Sequence, residues 1–153
     1  MVLTPPVEPM LARPAERLPR RPGLCHEAKW GCFRAVCFAV AGHLYLQTRR
    51  GSDLSGAFPE IARAAGDLAA VEPCVLDGEL MVAGEQSRLD FELLAARARR
   101  TGRRAAESAA QTPAHFVAFD ILQLGEEVTM RLPHRRRREL LEDLFCCRET
   151  RWW

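Results

Sequence analysis

The sequence predicts an α+β domain with mostly antiparallel sheet and flanking helices. Short runs rich in valine, phenylalanine and leucine occur in adjacent pairs, which is typical of hairpins rather than of regular βαβ units. Longer segments with apolar residues at helical spacing separate these pairs. A chain of 153 residues has the length of about one domain and can bury a substantial core.

The composition is that of a globular protein, since 48% of the residues are hydrophobic and 27% are charged. No run approaches the roughly 20 apolar residues that a membrane span needs, so we expect no membrane partner. The N-terminus lacks the basic start and apolar core of an export signal, which favours a cytoplasmic location. The six cysteines include no CxxC pair, which argues against a zinc–thiolate site.

The first half of the chain predicts an extended segment, a hairpin and a helix. Residues 1–23 are rich in proline and form the predicted extended entry segment. Residues 33–40 and 43–49 predict two strands joined by a turn at residues 41–42. Residues 56–71 carry apolar side chains at helical spacing and predict a helix.

The next segments predict a second hairpin and a second helix. Residues 74–85 alternate in the manner of a strand, and Asp77-Gly78 is a dipeptide typical of bends, so we expect a hairpin that turns there. Residues 89–100 predict a helix with Asp90 as its N-cap.

The last elements complete the predicted domain. Residues 115–124 predict a buried strand, and residues 132–145 predict a helix with Pro133 at its start. The predicted body of the domain is therefore 24–145, followed by an atypical tail at 146–153 that has no obvious partner for its two tryptophans.

The positive charge is concentrated in two arginine runs, although the net charge is only +2. These runs occupy residues 97–104 and 135–138. They are either solvated helix faces or contacts to phosphate, and the sequence leaves both interpretations open.

Lys29 is the only lysine among the 22 lysine and arginine residues of the chain. An amine can lose its proton and act as a nucleophile, whereas a guanidinium stays charged. Lys29 lies between strand-like segments beside Cys25 and Trp30, so we expect a semi-buried setting. A codon bias towards arginine would leave the same single lysine by chance.

Four stretches follow one another in the order of a known set of motifs. Residues 27–34, EAKWGCFR, are similar to the pattern Glu-x-Lys-x-Asp-Gly-x-Arg. Residues 48–60 contain an Arg and Gly followed by Phe-Pro-Glu, residues 75–80 read VLDGEL, and residues 116–127 read FVAFDILQLGEE. In this order the chain resembles the ATP-dependent DNA ligases, and the opening PPVEPMLA at 5–12 resembles the start of the bacterial ones.

The resemblance implies an ATP-grasp-like nucleotidyltransferase (adenylation) domain that is incomplete at its C-terminus. The implied activity is formation of a lysine–AMP intermediate and sealing of nicked double-stranded DNA in repair and recombination, with ATP and Mg²⁺ as cofactors. The family's later Lys-x-Lys motif and its OB domain have no counterpart among the 153 residues. Neither the sequence nor the resemblance predicts an oligomeric state.

The resemblance also implies roles for three cationic residues. Lys29 would attack the α-phosphorus of ATP, expel pyrophosphate and hold AMP as a phosphoramidate. Arg34 would reach the ribose or the phosphate of the nucleotide, and Arg49 would contact phosphate on ATP or on the 5′ end of the nick. Cations opposite developing charge are what phosphoryl transfer requires of a protein.

Three further residues would bind the nucleotide and the metal ion. Glu27 would lie near the adenine, Phe119 would stack on its ring, and Glu79 would bind the ribose hydroxyl or Mg²⁺. The chain has Gly31-Cys32 where the family has Asp-Gly. A side chain at the second of these positions would cost about 1 kcal/mol if the backbone there is left-handed.

Two alternatives remain open from the sequence. The chain could be a non-catalytic, degenerate fragment that holds nucleic acid through its arginine runs, with steep salt dependence. It could also be a related RNA ligase or mRNA-capping nucleotidyltransferase with the same lysine chemistry. The PPVEPMLA opening and the Arg-Arg-Gly to Phe-Pro-Glu stretch favour the DNA ligase branch.

Overall fold

The computed structural model describes residues 2–27, 29, 31–40, 43–70, 72–84 and 88–146. Within these ranges the chain forms one five-stranded antiparallel sheet in the order β2-β1-β3-β4-β5. The strands are β1 Phe33–Val40, β2 His43–Thr48, β3 Cys74–Val82, β4 Ala114–Leu124 and β5 Glu127–Val128. The helices are α1 Pro59–Ala69, α2 Phe91–Arg97, α3 Gly102–Gln111 and α4 His134–Cys146. The predicted α+β class is confirmed.

The main hydrophobic core lies on one face of the sheet, beneath the helices. Alternate residues of β1 and β3 point to this face because successive side chains of a strand lie on opposite sides. The fully buried Cys37 and Leu76 are cross-strand neighbours there. Ile61 of α1, Leu94 of α2 and Leu141 of α4 pack in the same cluster. The helices therefore cover this face of the sheet and not the opposite one.

A smaller cluster lies on the opposite face and is covered by the N-terminal segment. Val36, Phe38, Val75 and Leu122 are buried there against Val7. The described residues 2–23 contain no helix or strand, as the proline content predicts. This segment covers only part of the face.

The predicted hairpin at Asp77-Gly78 is wrong, because β3 runs straight through that dipeptide. The glycine is needed for a different reason. A Cβ on Gly78 would lie 2.5 Å from the carbonyl oxygen of Val117 and 2.6 Å from the Phe116 ring, both on the neighbouring strand. Close approach of another strand, and not a turn, accounts for the glycine here.

The three helices predicted at 56–71, 89–100 and 132–145 are confirmed as α1, α2 and α4. Asp90 caps α2, with its side chain accepting a 2.8 Å hydrogen bond from the backbone N–H of Leu93. Helix α3 was not predicted, because its only apolar side chains are those of alanine, and only Ala105 and Ser108 are buried. The two-residue strand β5 was also not predicted.

Two predicted features fall on residues that the structure does not describe. They are the turn at residues 41–42 and the tail predicted at 146–153, of which only Cys146, the last residue of α4, is described. Among the described residues, none of the helices combines the length and apolar character that crossing a membrane requires.

Candidate functional site

Three of the predicted site residues meet on the sheet face opposite the helices. Arg34 of β1 and Glu79 of β3 are direct cross-strand partners, so their side chains leave the sheet on the same side. The Arg34 guanidinium carbon lies 5.5 Å from the centroid of the Phe119 ring on β4, a cation–π distance. Three motifs far apart in sequence thus contribute to one surface.

Asp77 fixes the Arg34 side chain through two charge-assisted hydrogen bonds. Arg34 Nε donates to Oδ1 at 3.0 Å and Nη2 donates to Oδ2 at 2.6 Å. The hydrogen bond to Asp77, which is only 3% exposed, is the main cause of a raised pKa for Arg34. The local sequence indicates a bend at Asp77 and gives no sign of a contact with Arg34. Its position two residues before Glu79 in a strand is the signal that could have placed both on one face.

The N-terminal segment supplies the third partner of Arg34. Arg34 Nη1 donates to the backbone carbonyl of Met10 at 2.6 Å. The three bonds occupy three of the five N–H groups of a guanidinium, which leaves one on each terminal nitrogen for a ligand.

Glu79 connects the lysine-bearing segment to the sheet. The backbone N–H of Cys32 donates to Glu79 Oε2 at 3.3 Å. Gly31, just before it, has a left-handed φ of 74°. The positive φ therefore falls on a glycine, one position before the one at which the family pattern would place it, and glycine is needed there for its backbone conformation.

Lys29 itself is exposed, so the expected semi-buried setting is wrong. The described residues before it, 24–27, are exposed as well, because the chain at this point has not yet entered the sheet at Phe33. The amine is consequently open to solvent.

The other two predicted residues have different surroundings. Glu27 Oε1 is 3.5 Å from His134 Nε2 and 3.9 Å from Arg138 Nη1, both on α4, so its described partners are on that helix. Arg49 is exposed in the turn after β2. The register aligns Thr48 with Ala35, which puts Arg49 at the end of the sheet where Arg34 lies.

The arginine runs mostly engage acidic groups of the chain itself. Arg97 is fully buried and its Nη1 lies 2.6 Å from Glu60 Oε1. Arg137 donates to both carboxylate oxygens of Asp120 at 2.7 and 2.8 Å. Exposed ion pairs within helices involve Arg103, Arg136 and Arg138. Neither a solvated face nor a phosphate contact describes Arg97.

The described carboxylates of the site do not form a metal-binding cluster by themselves. Across the described ranges no three or more His, Cys, Asp or Glu side chains come together as a metal-binding group. Mg²⁺ is commonly held by one or two carboxylates together with substrate phosphates, and the half-buried Glu79 fits that arrangement. The site therefore suits a metal ion that binds together with a nucleotide.

The setting of Cys32 gives a test of the site's electrostatics. Burial raises the pKa of the Cys32 thiol, and the negative charge of Glu79 raises it further. Glu79→Gln removes the second cause, so the pKa falls and the thiolate fraction at about pH 8 rises. We expect iodoacetamide to alkylate Cys32 several-fold faster in this variant, as measured by peptide mass spectrometry.

The exposed Cys25 of the same molecule is the internal control for this measurement. Its alkylation rate should not change. If the Cys32 rates of the native chain and the variant stay equal from about pH 7 to pH 9, Glu79 does not act on the thiol through its charge.

Comparison with known families gives a match over nearly the whole chain. The model described as "ATP dependent DNA ligase domain" matches residues 9–153.

Two mycobacterial DNA ligases are similar to this chain over most of its length. The chain is 43% identical over 143 residues to DNA ligase C1 of Mycolicibacterium smegmatis, covering 91% of this chain and 41% of the relative. It is 38% identical over 141 residues to DNA ligase C of Mycobacterium tuberculosis, covering 91% and 38%. The chain thus spans about two fifths of the length of these curated relatives.

Solved structures give the same fold. The ligase domain of M. tuberculosis LigD matches with a TM-score of 0.62 and 31% identity, covering 77% of this chain and 35% of that one. A mycobacterial DNA ligase D complexed with ATP and MES matches with a TM-score of 0.63 and 31% identity over the same shares.

Proposed function

The chain belongs to the ATP-dependent DNA ligase family, and we propose that it forms the lysine–AMP intermediate from which nicks in double-stranded DNA are sealed. The observation that carries the proposal is the meeting of Arg34, Glu79 and Phe119, from three separate motifs, on one face of the sheet. A cation, a carboxylate and an aromatic ring together suit the phosphate, ribose and base of a nucleotide.

The proposed reaction is attack of Lys29 Nζ on the α-phosphorus of ATP. The N–P bond forms, the bond from the α-phosphorus to its bridging oxygen breaks, and pyrophosphate leaves. The amine proton passes to solvent, to which Lys29 is exposed. Arg34 and Arg49 provide positive charge opposite the phosphates, where it offsets the charge that develops during transfer.

The other residues orient the nucleotide. Phe119 stacks on the adenine, and Glu79 holds the ribose hydroxyl or, with the phosphates, Mg²⁺. When bound, Mg²⁺ neutralises phosphate charge. Glu27 reaches the adenine only if it leaves His134 and Arg138, its neighbours on α4. The pairing of Glu27 with α4 is therefore a competitor of nucleotide binding in this proposal.

The later steps belong to the whole protein of this family. They are transfer of AMP to a 5′-phosphate and sealing by the neighbouring 3′-hydroxyl. Because the chain spans about two fifths of its relatives, only the first step is proposed for the chain by itself.

Incubation with α-labelled ATP and Mg²⁺ tests the first step. We expect a covalent label that survives denaturation, and peptide mass spectrometry should locate it on the peptide that contains Lys29. GTP at the same concentration should give far less label, whereas a preference for GTP would favour a capping-type enzyme. If the native chain takes no label, or takes it on another residue, the proposed function is wrong for this chain.

A further inference from the structure

The N-terminal segment of residues 2–10, named the strap here, is held across the sheet by two buried glutamines. Gln47 of β2 makes two hydrogen bonds to Val7: its Oε1 accepts from the backbone N–H at 2.9 Å, and its Nε2 donates to the carbonyl at 2.7 Å. Gln123 of β4 accepts from the backbone N–H of Leu3 at 2.6 Å. The strap is therefore fixed at two points, on β2 and on β4.

These contacts recognise the backbone of the strap and fix its position along the sheet. Gln47 and Gln123 are each only 1% exposed, so neither amide has water as an alternative partner. The paired donor and acceptor of Gln47 match both backbone groups of one residue, as a neighbouring strand would. Val7 is itself buried against Val36 and Phe38, so a shift of the strap would lose apolar packing as well.

The far end of the strap reaches the candidate nucleotide site. The carbonyl of Met10 accepts the 2.6 Å hydrogen bond from Arg34 Nη1. Met10 is 81% exposed, so its contribution to the site is the position of its backbone carbonyl. Asp77 holds the other two bonded N–H groups of Arg34 from the opposite direction.

We propose that the strap positions the Arg34 guanidinium for the nucleotide, with Gln47 as the positioning residue that fixes the strap. Asp77 bonds only Nε and Nη2 of the guanidinium, and the Met10 carbonyl adds a third contact at Nη1. This inference rests on the proposed function for the role of Arg34, and it gives a positioning role to the strap, for which the resemblance implied no role in the site.

Gln47→Leu in the full chain tests this role. The substitution removes both hydrogen bonds to Val7 and replaces the amide with an apolar side chain of similar size. We expect the KM for ATP in Lys29 labelling to rise about tenfold, which corresponds to one lost hydrogen bond to a charged group, while the rate at saturating ATP changes little. Gln47→Glu keeps the acceptor for the Val7 N–H and should give an intermediate KM.

Ser55→Ala is the matched control. Ser55 Oγ accepts a 2.9 Å hydrogen bond from the N–H of Leu46, the residue beside Gln47 on β2, and the strap does not take part in it. This variant loses a bond from the same strand and should leave the KM for ATP within about twofold of the native value. An equal rise in Ser55→Ala and Gln47→Leu would mean that general destabilisation explains the effect, and the positioning role would be wrong.

A second readout does not need ATP. The NMR signal of the Arg34 Nε–H group should shift in Gln47→Leu and stay in place in Ser55→Ala. If the native chain takes no label from ATP, the proposed function fails, but the strap is still judged by this signal. An unchanged Arg34 signal, with the Val7 amide exchanging faster, would show a released strap that has no hold on Arg34 and would overturn the inference.

Discussion

Lys29→Arg is expected to abolish covalent AMP labelling while leaving the fold unchanged. Arginine keeps the positive charge, but its guanidinium does not lose a proton at ordinary pH and cannot act as the nucleophile. Lys29 is exposed and lies outside the helices and strands. The free energy of unfolding of the variant should therefore stay within about 0.5 kcal/mol of the native value. Labelling and urea denaturation of the same preparation measure both quantities.

The chain offers an unusual control, because it contains a single lysine. In the double variant Lys29→Arg with Arg63→Lys, the composition is unchanged and the lysine moves to an exposed position on α1. This variant should take no label. Label on the moved lysine would mean that any accessible amine reacts, and the assignment of Lys29 would be lost.

Arg97→Ala is expected to lower the free energy of unfolding by about 3–5 kcal/mol, as measured by urea denaturation. Arg97 is fully buried, lies 2.6 Å from Glu60 and donates to the Thr112 carbonyl at 2.6 Å. Its guanidinium also lies 5.0 Å from the centroid of the Phe58 ring. Removal leaves the Glu60 carboxylate, whose side chain is 12% exposed, without its cation.

Two further variants identify the source of this loss. Arg97→Met combined with Glu60→Gln removes both charges and keeps the acceptor for the Ala114 N–H, so it should recover much of the stability. Arg103→Ala breaks an exposed ion pair with Glu107 within α3 and should cause little measurable change. If Arg97→Ala is no more destabilising than Arg103→Ala, the buried pair does not contribute in the way we expect.

The sequence pattern alone predicted the elements in which apolar residues recur at the regular spacing of a strand or a helix. Strands β1 and β4 and helix α4 carry enough apolar side chains to be recognised without knowledge of their neighbours. The bend expected at Asp77-Gly78 was wrong. A glycine that leaves room for the Phe116 ring of a neighbouring strand cannot be distinguished, in the local sequence, from a glycine in a turn. That distinction depends on a strand nearly 40 residues later in the chain.

The candidate site was also predicted only in part, because some of its contacts depend on residues that are distant in the sequence. The motifs identified Arg34, Glu79 and Phe119, which the fold brings together. Periodicity and motifs gave no sign of Gln47, since a glutamine in a strand is buried only when something outside the strand pairs with its amide. The predicted bounds of β1, residues 33–40, were right, but the strand pattern alone did not show that Lys29, four residues before the strand, is exposed.

The placement of the strap has a consequence for how the protein folds as it is made. Each strand can join an edge that is already present, since β2 pairs with β1, β3 adds to β1, and β4 adds to β3. The strap is synthesised before its partners, because Gln47 follows Val7 by 40 residues and Gln123 follows Leu3 by 120 residues. The contact at Gln47 can therefore form soon after β2 has been made, whereas the strap gains its second attachment, at Gln123, only after β4 has been synthesised.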